Sequence, residues 1–257
     1  MERSLKGYDY VAAQEQLHSL VRPRDLSAPL RRRVNYLRSI CQSLTAWDVF
    51  DHSQALECIE GDAFTRSPKL RSRLLQPLKR LVGLRTWLAE GGPLPAQTSG
   101  YELVEDLQLN AGRRAQSGRY DDAVGRYYRA LEMLAQMRLK LHYGVDTSAV
   151  SPEHIPEPHR AKYLSPKLGL RQAYELLQDL QDPIVGPIYE PQSKLLLNAL
   201  NTRNASLFAH GYQPIGKREY ELFLGFACGF LNELLGKLFG KSDRISQLPS
   251  SIDEISD

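Results

Sequence analysis

Apolar residues along this chain recur at three- and four-residue intervals almost throughout, the period of helices that bury one face. Tyr10, Ala13, Leu17 and Leu20 predict a helix over 8–21 that Pro23 ends. Leu30, Val34, Leu37, Ile40, Cys41, Leu44 and Trp47 predict a second over 28–50, and a short helix follows over 51–60. Leu70, Leu74, Leu78, Leu81, Val82 and Leu84 carry the same rhythm through 67–90, with basic residues between them. The run Gly91-Gly92-Pro93-Leu94-Pro95 through Gly100 is the clearest loop signal in the chain and the expected domain boundary.

Beyond that loop, segments 101–117 and 120–143 predict a helical hairpin joined at Gly118, with Asp121 and Asp122 in the second helix's first turn, where carboxylates favour the macrodipole. Residues 144–167 hold five Gly or Pro residues and read as a long irregular connection. Helices are expected over 168–180, over 191–210 with Gly211 as its cap, and over 217–239. Alternating Val/Ile/Thr runs and Asn-Gly or Asp-Gly turns are missing. The fold class is therefore all-α: an N-terminal helical region over 1–97, a helical bundle over 98–242, and a Ser/Asp-rich tail over 243–257 that is expected to be disordered.

Three helix starts look alike: Tyr8-Asp9, Phe50-Asp51 and Tyr120-Asp121 each put an aromatic and an Asp ahead of an Ala. Their spacings are unequal and do not match a 34-residue period, so they read as repeated helix-start chemistry, not as a solenoid.

Composition changes little in this picture. With 257 residues, 42% hydrophobic and 25% charged, the chain has the make-up of a soluble globular protein. Thirty-three basic against 30 acidic residues leave a net charge of only +3, so attraction to a polyanion has to come from local clustering. Arg31-Arg32-Arg33 is one such cluster and reads as a solvated face. Three separated cysteines suit reduced thiols, not a disulfide framework. From Met1 to Lys6 and the polar segment behind it no secretory leader is expected, and the most apolar stretch, 220–239, is broken by Glu221, Asn232, Glu233 and Lys237. A cytoplasmic protein without a membrane span is expected.

Chemistry narrows to one place. The six histidines form no pair or Cys/His set with metal-ligand spacing, so no metal or cofactor is expected. There is no Gly-rich phosphate loop and no nucleophile elbow. Tyr127, Tyr128 and Arg129 come nearest to a stacking platform for nucleic acid, but adjacent tyrosines on a helix more simply straddle a core edge. Arg203 and His210 remain. Seven residues apart on one continuous helix, they would share a face, a fixed cation beside the side chain that titrates near neutrality. That pair is either a site for phosphate chemistry or two exposed bystanders.

The order Arg203-Asn204 followed after five residues by His210 resembles the R-N-x(4–6)-H motif of HEPN ribonucleases, a family of all-α domains. Segments 118–134, 143–147 and 199–214 together look like the effector domain of CRISPR-associated CARF–HEPN proteins. Tyr8-Asp9-Tyr10 and the Trp47-to-His52 segment look like the helical region that follows their sensor. No βαβ pattern precedes Tyr8, so the chain is expected to lack the sensor domain that binds cyclic oligoadenylate, either as a fragment or as a form without it.

The resemblance implies a metal-independent endoribonuclease acting on single-stranded RNA at a cleft shared by a homodimer, in antiviral defence. Arg203, Asn204 and His210 would be its catalytic residues. Two alternatives stand beside it: a non-catalytic helical interaction module, and a HEPN toxin of a toxin–antitoxin pair.

Overall fold

Helices make up nearly all the regular structure of the computed structural model, which describes the chain apart from residues 22–26, 62–63, 65–66, 205, 207–210, 241–242 and 256–257. Among the described residues, the one strand-like pairing is an isolated parallel bridge between Ser206 and Gln213. The chain divides into two units, residues 1–97 with 245–257, and residues 98–244.

The first unit contains α1 (Glu2–Lys6), α2 (Tyr10–Val21), α3 (Ala28–Asp48), α4 (His52–Glu60) and α5 (Pro68–Glu90). Its core is the apolar stripe read from the sequence: Val34, Leu37, Ile40, Cys41, Leu44 and Trp47 of α3, with Leu70, Leu74, Leu78, Leu81 and Leu84 of α5, are all buried. The Asp51 carboxylate caps α4 by accepting from the Gln54 N–H at 3.1 Å. His52 is also core, its ring edge-on to Trp47 and Phe50. Arg31, Arg32 and Arg33 are exposed.

The second unit contains α6 (Glu102–Gln116), α7 (Tyr120–Tyr143), α8 (Leu170–Asp179), α9 (Val185–Asn204) and α10 (Lys217–Leu238). Helix α7 is the central one and packs against each of the other four. On α8 the Tyr174 ring stacks on Tyr189 of α9 and meets Phe230 of α10, joining three helices in one aromatic cluster. Gly144, at φ +66°, ends α7 in the left-handed conformation that glycine adopts without strain.

Three expectations need correction. The connection over 144–167 is more ordered than its Pro content suggests, with 3₁₀ turns at Pro152–His154 and Glu157–Lys162. Two backbone bonds close its base, from Val150 N–H to the Pro166 carbonyl and from Leu168 N–H to the Thr147 carbonyl, each 2.8 Å. Buried Tyr163 then pins it to α8, its hydroxyl donating to Asp179 at 2.6 Å.

Second, the tail over 245–255 is folded. It carries α11 (Ile252–Ile255) and buries Ile245, Leu248 and Ile255. The Tyr10 hydroxyl donates to the Pro249 carbonyl at 2.7 Å, and Arg73 donates to the Gln247 carbonyl at 2.6 Å and to Glu254 at 3.2 Å. Three apolar residues with fixed partners overcame a polar composition.

Third, α9 runs from Val185 to Asn204 instead of 191–210. It starts early because the Asp182 carboxylate accepts from the N–H groups of Ile184 and Val185, and because Pro187, in the first turn, lacks only a donor that no helix carbonyl would have used. Beyond its end, the Ser206 N–H donates to the Arg203 carbonyl and the Ser206 backbone pairs with Gln213.

Candidate functional site

Arg203 sits on the last turn of α9, three, four and seven residues after Leu200, Ala199 and Leu196, all buried. Helical spacing of that kind turns it toward the packed side of α9, not toward solvent. It is accordingly half-buried, with its guanidinium carbon 4.5 Å from the centroid of the Tyr128 ring on α7. A cation over a partly desolvated ring at this range is worth about 0.5–2 kcal/mol. The Arg203 Nη1 also donates to Asn204 Oδ1 at 3.2 Å. Its other donors have no partner among the described residues. A guanidinium braced on one face with donors to spare has the chemistry to bind an oxyanion.

Tyr128 and Tyr127 straddle the core edge. Tyr127 is buried against Phe223, and its hydroxyl interacts with Tyr220 and Cys228. Tyr128 is half-buried; burial raises the pKa of its hydroxyl, Glu132 raises it further, and Arg203 pulls against both. Its role as the support of Arg203 was not legible in the sequence, since the two lie on different helices 75 residues apart.

After Asn204 the chain turns. Ser206 N–H donates to the Arg203 carbonyl at 3.0 Å, and Gly211 N–H donates to the Ser206 carbonyl at 3.0 Å. Ser206 is 3% exposed and pairs through its backbone with Gln213. The Ile215 N–H then donates to both Asp121 carboxylate oxygens, at 3.1 and 3.2 Å, and the Gly216 N–H donates to Glu219 at 3.1 Å to start α10. Asp121 thus anchors the loop that follows the motif, besides facing the α7 N-terminus.

Of the three residues predicted to act together, Arg203 and Asn204 are adjacent and hydrogen-bonded, with Asn204 exposed. His210 lies outside the described residues. The continuous helix expected over 191–210 is interrupted at Ser206, whose backbone pairs with Gln213. Among the described residues no group of three or more His, Cys, Asp or Glu side chains is placed to hold a metal. None of the described helices is long and apolar enough to cross a membrane.

The family model of the Csm6 HEPN domain matches residues 96–234, from just before α6 into the last turns of α10. The chain belongs to the Csm6 HEPN family. No curated protein matches it. Membership sets this protein among CRISPR-associated HEPN effectors, a family that is in general composed of ribonucleases. Arg203, Asn204 and the Tyr128 ring beneath Arg203 all fall inside the matched segment, as does the loop anchored by Asp121.

Proposed function

We propose that this protein is a metal-independent endoribonuclease that cuts single-stranded RNA at a cleft shared by two copies of the chain, as an effector of CRISPR antiviral defence. The RNA 2′-oxygen bonds to the adjacent phosphorus while the bond from phosphorus to the 5′-oxygen breaks, leaving a 2′,3′-cyclic phosphate and a 5′-hydroxyl. The 2′-hydroxyl proton leaves to a general base, and the departing 5′-oxygen takes a proton from a general acid. One chain offers a single His210 for these two tasks; a two-fold pair offers two, one in each role. Arg203 binds the non-bridging oxygens as their charge grows. Asn204 holds the guanidinium in register.

The observation that supports this reading most is the Arg203 guanidinium, held on Tyr128 and by Asn204 with donors left over, inside the family-matched segment. The test is cleavage of an end-labelled single-stranded RNA in EDTA. His210→Ala should lower the rate by about 10²–10⁴-fold, and a 2′-deoxy substitution at the cut should abolish it. Equal cleavage by wild type and His210→Ala, or cleavage only on adding a divalent metal, overturns the mechanism. A chain that stays monomeric while cleaving at full rate overturns the shared cleft and leaves the chemistry to one copy.

A further inference from the structure

Among the described residues of the loop after the motif, Tyr212 puts the largest side chain into solvent, at 89% exposed. It makes no hydrogen bond or ring contact with any described residue. A single exposed aromatic is ordinary on a protein surface; its setting is not. The backbone around it is fixed at four points: Gly211 N–H on the Ser206 carbonyl, Gln213 paired with Ser206, Ile215 N–H on Asp121, and Gly216 N–H on Glu219. The loop therefore presents the ring without needing it for packing.

Two further observations say what would meet it. The turn from Arg203 to Ser206 and the pairing of Ser206 with Gln213 keep the Cα atoms of Tyr212 and Arg203 within about 16 Å. The stretch from Pro191 to Arg218 also contains Lys194, Arg203, Lys217 and Arg218 and no acidic residue; Lys217 pairs with Glu221 at 3.7 Å, and the other three cations are in no ion pair among the described residues, in a chain that is nearly neutral overall. An exposed aromatic on a segment that also carries cations is an arrangement that binds single-stranded nucleic acid, with the π-face taking a base and the cations tracking the backbone.

We infer that Tyr212 is a base-stacking residue that grips a nucleotide of single-stranded RNA near the scissile phosphate. It binds substrate and takes no part in proton transfer. The inference rests on the ribonuclease reading, and the two can fail separately.

The probe is a short 2′-O-methyl oligoribonucleotide, which cannot be cut, carrying 2-aminopurine at successive positions. Wild type should bind it and quench the fluorophore at one or two positions. Tyr212→Ala should bind about tenfold more weakly, with the quench lost. Tyr212→Phe should keep both, and Tyr212→Trp should add an emission that RNA quenches. In cleavage assays Tyr212→Ala should raise KM with kcat nearly unchanged.

Wild-type affinity and quenching in Tyr212→Ala overturn the inference, as does a Tyr212→Trp emission that RNA leaves unchanged. A Tyr212→Ala chain that falls from dimer to monomer while its monomers quench normally also overturns it and assigns the ring to a contact between copies. Full cleavage by His210→Ala with the Tyr212 effects intact would sink the catalytic reading and leave this one standing.

Discussion

Asp182 shows how much one side chain holds together in the second unit. It is 1% exposed and accepts from Arg138 Nε at 2.6 Å, the Tyr143 hydroxyl at 2.9 Å, and the N–H groups of Ile184 and Val185 at 3.0 and 2.7 Å. Burial by itself would raise its pKa. The Val185 N–H, Arg138, the Ile184 N–H and Tyr143 together outweigh burial and hold the carboxyl below its ordinary value. Tyr143 is pushed the other way, up to about 12, by burial and then by its bond to Asp182. A depressed carboxylate contributes stability that is complete above the unfolded value of about 3.9 and is lost as pH falls through the folded value. Asp182→Ala strands Arg138 in the interior and should cost about 3–5 kcal/mol. Urea denaturation as a function of pH should show both the loss and a flatter acid limb in the variant; an unchanged acid limb would remove Asp182 from the pH dependence.

At the scale of elements, one joint recurs. Tyr8, Phe50, Gly118 and Gln181 all have φ between +55° and +73°. In each case the next residue donates its N–H to a carbonyl five residues back: Asp9 to Ser4, Asp51 to Ala46, Arg119 to Arg114, Asp182 to Leu177. The chain leaves one helix through a left-handed residue; the next helix starts directly after its neighbour at Asp9, Asp51 and Arg119, and three residues beyond it at Asp182. The sequence resemblance among helix starts was therefore real for Tyr8 and Phe50. At Gly118 the left-handed residue lies two positions before Tyr120, and Gln181-Asp182 makes the same joint without an aromatic.

A second element-level consequence concerns Asp121, whose carboxylate is the tether of the loop between the motif and α10. Asp121→Ala should release that loop with little loss of melting temperature, yet weaken RNA cleavage by about tenfold or more, as expected when a positioning contact is lost. Cleavage at the wild-type rate would show that the tether does not matter to activity.

At the scale of the whole molecule, the chain's far end completes its beginning. Residues 245–255 close over the first unit through Ile245, Leu248 and Ile255 and through bonds to Tyr10, Tyr36, Arg73 and Glu2. Burying each such apolar side chain is worth about 1.5–3 kcal/mol. Truncation after Arg244 should therefore destabilise the first unit by roughly 5 kcal/mol, read as a lowered transition in calorimetry. A truncated chain that melts like wild type would mean the tail contributes nothing to this core.

What the sequence determined by itself is local. The helical period placed α2 through α8 and α10 to within a few residues, because each is set by which positions must be apolar within one or two turns. Arg203-Asn204 was legible as a motif because the residues are adjacent. Only the tertiary structure decided that α9 stops at Asn204, that Tyr128 carries Arg203, that Asp121 holds the loop beyond it, and that a polar tail folds. The last three depend on partners 75 or more residues away, which periodicity does not contain, and the first shows in the pairing of Ser206 with Gln213. The helix that the chain's pattern ran on to His210 is interrupted at Ser206, which pairs with Gln213, and the chain at Ile215 is tied to α7 through Asp121.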